Sequence, residues 1–187
     1  MIERTLVLVK PDGVYRALIG KVISTFEDAG LKVIGIKMVQ PDEDIAGKHY
    51  VADEEWLLSI GRKTKESYRE KGQEIKETEM EIGQRVRNSL LKYLTSGPVA
   101  AIVLEGNSSI YIVRKLIGAT EPRKADPYSI RGRFGADSYD MGDAKNRSIR
   151  NVVHASEDEK SAKREIALWF KNEELVSYKR VDEEYLY

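Results

Sequence analysis

Apolar positions along this chain change period several times, and each change marks an element. Thr5-Leu6-Val7-Leu8-Val9 is almost wholly apolar and rich in β-branched residues, the pattern of a strand buried on both faces and therefore central in its sheet. Lys10-Pro11-Asp12-Gly13 ends it with a turn. Residues 20–29 carry Val22, Ile23 and Phe26 at helical spacing and stop at Gly30, a residue suited to the position past a helix end. Ile34, Ile36 and Met38 alternate along 31–39 and predict a second strand. Pro41-Asp42 opens a short helical segment that runs through His49-Tyr50 to about residue 60. Residues 61–82 are dominated by Arg, Lys, Glu and Gln, which suits a solvated helical hairpin slightly better than a loop. Val86, Leu90 and Leu94 form the next helical stripe, and Gly97-Pro98 stops it.

The second half repeats the alternation. Residues 99–104 read as a buried strand, Glu105-Gly106-Asn107 as a turn and cap, and Ile110, Val113 and Ile117 as one face of a helix closed by Gly118. Residues 119–150 are irregular, with scattered Pro, Gly, Asp and Arg, and a stretch of that length in a compact domain is usually functional. Asn151-Val152-Val153 forms a last short strand that carries His154 to its end. Ser156 with Glu159 fits the Ser-x-x-Glu capping box, and Ala162, Ile166, Trp169 and Phe170 mark the apolar face of the closing helix. Strand-helix-strand, helices, strand-helix-strand, helix is the order of a split βαβ arrangement. It predicts an α+β fold of the ferredoxin-like class, a four-stranded antiparallel sheet with helices on one face, formed by the chain as a single domain.

Composition narrows the chemistry. Thirty-one Lys and Arg balance 31 Asp and Glu, so no global field draws the protein to nucleic acid or membrane. The absence of cysteine excludes disulfides and thiolate catalysis. The N-terminus enters a strand directly, with no signal-peptide order, and no apolar run reaches membrane-spanning length, so a soluble cytoplasmic protein is expected. Only two histidines occur, His49 and His154. A lone histidine is more often structural than catalytic, and His49, beside Tyr50 on a polar segment, reads as a surface or structural residue. His154 differs in its company. Lys10 at the end of the first strand, Arg114 on the helix before the long loop, Arg131 inside that loop, and the neutral Thr120 and Asn151 can all converge on it. Lysine acts on phosphate as a point charge and arginine as a bidentate fork. Positioning and charge stabilisation of that kind are what phosphoryl transfer requires. The glycine-rich loops that cradle phosphate with backbone amides are missing, so side chains must do the holding.

At this point the sequence closely resembles the nucleoside diphosphate kinases. The resemblance covers almost the whole chain. It rests on residues 3–6 through Lys10-Pro11-Asp12-Gly13, Gly35-Ile36-Lys37-Met38, His49-Tyr50, Ser96-Gly97-Pro98-Val99 and Val103-Leu104-Glu105-Gly106. It continues through residues 114–120, Ser129-Ile130-Arg131-Gly132, residues 151–156, Leu168-Trp169-Phe170 and Glu173-Glu174-Leu175. It implies ping-pong exchange of the terminal phosphate between nucleoside triphosphates and diphosphates through a phosphohistidine, with Mg2+ bound through the nucleotide phosphates. By position, His154 matches the phosphorylated histidine, and Lys10, Arg114, Thr120 and Arg131 match phosphate ligands. Asn151 matches a ribose contact and Tyr50 a tyrosine that supports the histidine. Glu165 and Ser156 match the carboxylate and hydroxyl that hold the histidine, and a carboxylate on one ring nitrogen would fix the other as nucleophile; the family implies the nitrogen nearer the backbone. A homo-oligomer is implied, a hexamer favoured, with no membrane or specific nucleic-acid partner.

Departures from the family pattern are visible as well. Residues from about 61 to 83 read as a charged insertion, and counting from Tyr50 puts Leu58 where a base-stacking phenylalanine is usual. Pro127-Tyr128 replaces the usual Pro-Gly, and the segment at about 135–148 is longer than the common pattern. The competing readings are a ferredoxin-like nucleic-acid-binding module, which lacks the exposed paired aromatics such sheets use, and a regulator that kept the pocket without catalysis.

Overall fold

Thr5 apart, residues 5–9 offer no polar side chain to turn towards water, and all five are buried in the computed structural model, which describes residues 2–70 and 72–186. They belong to β1 (Ile2–Val9). The chain continues through α1 (Pro11–Tyr15), α2 (Ile19–Asp28), β2 (Lys32–Val39), α3 (Glu43–His49), α4 (Glu54–Glu70) and α5 (Glu79–Leu94). It then forms β3 (Val99–Asn107), α6 (Ser109–Ile117), α7 (Ile130–Phe134), α8 (Tyr139–Ala144), β4 (Val153–Ala155), α9 (Glu159–Trp169) and α10 (Glu183–Leu186). Two compact units result, residues 1–40 with 97–187, and residues 41–96.

The first unit holds the expected ferredoxin-like sheet, antiparallel throughout in the order β2-β3-β1-β4. On one face Val7, Val9, Ala100, Ile102, Leu104, Val153 and Ala155 pack with Val22 and Phe26 of α2 and Val113 and Ile117 of α6. Helices were expected on that face alone. The other face is covered too: Leu6, Leu8, Ala101 and Val103 are buried, and α9 packs on β1 with Ala162 and Trp169 inward. The reason is the composition of the inner strands. Leaving a second apolar face wet would forfeit roughly 1.5–3 kcal/mol per large side chain.

Other boundaries also differ from the sequence reading. β3 runs on to Asn107, where a turn was expected, because β1 pairs with it as far as Ile2 opposite Asn107. The alternation in β2 is interrupted by a bulge between Val33 and Gly35, so Ile34 is buried while Ile36 and Met38 are exposed on this edge strand. The stretch 119–150 is not structureless, since it contains α7, α8 and a 3-10 turn at Pro122–Lys124.

In the second unit, the segment expected as one helix from residue 41 to 60 is two. α3 is capped by Asp42, whose side chain accepts from the Ile45 amide at 2.8 Å, and α4 starts afresh where Asp53 accepts from the Trp56 amide at 3.0 Å. The charged stretch is a helical hairpin of α4 and α5. Thr78 and Glu81 form a reciprocal capping box at the start of α5, and Gly61 and Gly83 let the two helices meet backbone against backbone.

Candidate active site

The antiparallel pairing of β4 with β1 places His154 opposite Leu8, on the face covered by α9. Glu165, buried on α9, meets it there. The Glu165 Oε2 lies 2.8 Å from His154 Nε2 and accepts the Ser156 hydroxyl at 2.8 Å, while Arg164 donates to Oε1 at 3.2 Å. Ser156 is therefore not the helix cap that its spacing from Glu159 suggested. Asp158 caps α9 by accepting from the Ser161 amide at 2.7 Å, and the Ser156 backbone stays in strand-like pairing, donating to the Leu6 carbonyl at 3.1 Å. Its hydroxyl is thereby left to Glu165.

On the other side of His154, Lys10 and Asn151 are joined by a 2.8 Å bond from Nζ to Oδ1, and Asn151 Nδ2 donates to the Thr120 carbonyl at 3.0 Å. Arg131 is buried on α7 rather than in a loop. Its guanidinium donates to the Gly118 and Val153 carbonyls, both at 2.9 Å. Between Asn151 and His154 lies Val152, fully buried with φ of +66°. A β-branched residue in that region is strained by roughly 1–3 kcal/mol and persists only where its surroundings compel it. Two bonds do so here. The Lys10 amide donates to the Val152 carbonyl at 2.8 Å, and the Val152 amide donates to Asp12 Oδ2 at 3.3 Å. Asp12 went unrecognised in the sequence reading, although it sits within the Lys-Pro-Asp-Gly turn. Gly13 is required beside it, since a Cβ there would lie 3.0 Å from the Val152 oxygen.

The electrostatics follow from burial among cations. Burial lowers the Lys10 ammonium to about 7, with the charge of Arg131 adding to the effect and Asp12 opposing it. Burial likewise holds the His154 imidazole below its ordinary value against the pull of Glu165, and Lys10 and Arg131 push the same way as burial. Burial alone would raise the Glu165 carboxyl, but its bonds to His154 and Ser156 and the charge of Arg164 bring it below the usual range. At neutral pH the pair is then a neutral imidazole against a carboxylate. A carboxylate only accepts, so Nε2 carries the hydrogen and Nδ1, the nitrogen nearer the backbone, is the basic one.

The remaining expected site residues lie outside this bonded group. Thr120 is exposed and enters through its carbonyl only. Arg114 is exposed on α6 and lines an open groove of about 690 Å³ with Glu3, Glu157 and Glu159. Tyr50 and Leu58 belong to the second unit. Tyr50 caps the C-terminus of α3, with its carbonyl accepting from Arg87 Nε at 2.7 Å, and Leu58 is half-buried on α4. His49 is 3 % exposed, buried rather than on the surface, with its ring centroid 4.7 Å from that of Tyr50.

The chain is similar to known proteins along nearly its whole length. The model of the nucleoside diphosphate kinase family matches residues 3–57 and 64–175. The chain is 42% identical over 180 residues to a nucleoside diphosphate kinase of Pyrobaculum aerophilum, covering 94% of this chain and 98% of that one. It is 43% identical over 183 residues to one of Borreliella burgdorferi, covering 98% and 96%. Among solved structures, the NDP kinase of Pyrobaculum aerophilum superposes with a TM-score of 0.91 at 41% identity, over 95% of this chain and all of that one. A transition-state mimic of the Borrelia burgdorferi nucleoside-diphosphate kinase with bound vanadate and ADP gives 0.80 at 42% identity, over 97% and 95%.

Proposed function

The chain belongs to the nucleoside diphosphate kinase family, and from that premise we propose how its own residues move the terminal phosphate of a nucleoside triphosphate to a nucleoside diphosphate. His154 Nδ1 attacks the γ-phosphorus, the bond to the β–γ bridging oxygen breaks, and the diphosphate leaves. A second diphosphate then attacks the phosphohistidine with its terminal oxygen and regenerates the imidazole. The Nε2 hydrogen stays on the ring throughout, shared with Glu165, whose carboxylate offsets the positive charge that develops as Nδ1 is phosphorylated. Ser156 keeps that carboxylate in place.

Lys10 and Arg131 take the phosphate oxygens, joined by Arg114 and Thr120 once nucleotide is bound, and Asn151 contacts the ribose. Tyr50 supports the histidine and Leu58 lies against the base in this reading. The charged hairpin over residues 61–83 is peripheral to the chemistry. Magnesium fits as an ion brought by the nucleotide. The groups gathered at His154 are cationic and amide donors suited to phosphate oxygens, and Glu165 is already bonded to His154 and Ser156. When bound, the ion neutralises phosphate charge. A cytoplasmic homo-oligomer, a hexamer by preference, completes the reading.

The observation that carries this function is the 2.8 Å His154–Glu165 bond on a ring that burial and two nearby cations keep neutral. Incubation with labelled ATP alone should yield an acid-labile phosphoprotein, with the mass shift on the peptide containing His154. Added diphosphate should discharge it. His154→Ala should abolish both the label and turnover. Label on a His49 peptide, or full activity in His154→Ala, would overturn the mechanism.

A further inference from the structure

The segment at about 135–148, longer than the family pattern, is absorbed by none of the steps above. It is nonetheless tied into the site by buried carboxylates. Asp137, 9 % exposed, accepts from Arg147 Nη1 at 2.6 Å and Nη2 at 3.2 Å, from the Ser138 amide at 3.0 Å and from the Arg150 amide at 2.7 Å. The last of these bonds reaches out of the segment. It fixes the peptide group that leads into Arg150, one residue ahead of Asn151, while Asp12 fixes the one immediately after Asn151.

Asn151 is the junction that both carboxylates serve. Its amide oxygen holds the Lys10 ammonium and its amide nitrogen holds the Thr120 carbonyl, so its position sets where the cation and the loop stand relative to His154. The strained Val152 that follows cannot provide stiffness by itself, because relaxing its φ would swing Asn151 away. A second tie links the same segment to the Thr120 side. The Tyr139 amide donates to buried Glu121 at 3.2 Å, and Arg123 bridges to Asp140 at 3.0 Å. Resting on the phosphate-transfer reading above, we propose that Asp137 is a positioning residue for that reaction. By clamping the Arg150 amide from within the extended segment, it holds Asn151, and through it Lys10, in the geometry that receives nucleotide phosphate.

A role exercised through Asn151 has a signature that loss of structure alone does not. In a double-mutant cycle, Asp137→Ala is expected to lower kcat/KM for nucleoside diphosphate by about tenfold in the wild-type background, yet by less than about twofold once Asn151→Ala has removed the junction. The fall in melting temperature should be the same in both backgrounds, since the Arg147 pair is lost in each. If Asp137→Ala does not fold, Asp137→Asn, of the same shape but with one oxygen fewer to accept, takes its place under the same criterion. Equal losses of kcat/KM in the two backgrounds, or no loss in the wild-type one, would overturn the proposal while leaving the function standing. Wild-type kinetics in Asn151→Ala itself would instead strike the nucleotide-site reading, and the proposal with it.

Discussion

Residues 1–40 and 97–187 close around a sheet whose inner strands are covered on both faces, whereas residues 41–96 are mainly a hairpin of charged helices around few apolar side chains. The two units achieve order differently. In the first, backbone pairing sets where each polar group stands: His154 is opposite Leu8, and Ser156 is bonded twice to Leu6. A one-residue slip would turn His154 to the opposite face. In the second, Leu57 and Ile82 are buried, the helices approach through two glycines, and the ion pairs, such as Arg85–Glu77 at 2.9 Å, stand in water. Exposed pairs of that kind contribute about 0–1 kcal/mol. A sheet that pins buried charges suits a phosphoryl-transfer site, and a hairpin with a polar surface tolerates change around it.

The largest expected effect that tests this contrast is in the sheet unit. Arg131→Ala removes a proposed phosphate ligand and leaves the partly buried Gly118 carbonyl and the buried Val153 carbonyl without this donor. Turnover should fall tenfold or more and stability by about 1–3 kcal/mol. A coupled phosphate-transfer assay and denaturant unfolding check both, and unchanged rates would remove Arg131 from the site.

In the hairpin, Gly83→Ala drives a Cβ into the Leu57 carbonyl and should cost about 1–3 kcal/mol through overpacking. Phosphohistidine formation by the folded protein at 25 °C should persist. If a folded Gly83→Ala variant could not be phosphorylated, the division of labour between the units would be wrong.

A subtler effect comes from Lys10. Its folded value of about 7 lies below the ordinary 10.5, so between those two pH values the unfolded chain binds more protons and stability of the nucleotide-free protein rises with pH across that window. Phosphate restores the missing proton, and nucleotide binding near pH 8 should therefore take up protons. Calorimetry in buffers of different ionisation enthalpy reads this directly, and Lys10→Met should abolish the uptake. The smallest change expected is that of Thr78→Ala, which opens the capping box on α5 for about 1 kcal/mol of stability with no change in phosphoenzyme yield.

Much of this was legible along the chain. The apolar run at residues 5–9 predicted a central strand buried on both faces, and β1 is one. Lys10, Asn151, Arg131, His154, Ser156 and Glu165, picked from residue type and resemblance, lie together in the sheet unit. What escaped was carried by long-range partners. The strain at Val152, the clamps of Asp12 and Asp137 on either side of Asn151, and the use of Ser156 for Glu165 in place of a helix cap each need a partner well beyond the next few residues.

By itself, then, the sequence determined which segments alternate, which strand is central and which side chains are candidates for the chemistry, because local period and residue type act over a few neighbours. Tertiary structure decided that a helix would cover the second face and that Nε2 of His154 would be given to Glu165. It also decided that two carboxylates would brace Asn151. Those outcomes depend on burial and on hydrogen bonds closed across the sheet, where a buried group must find a partner wherever the fold brings one.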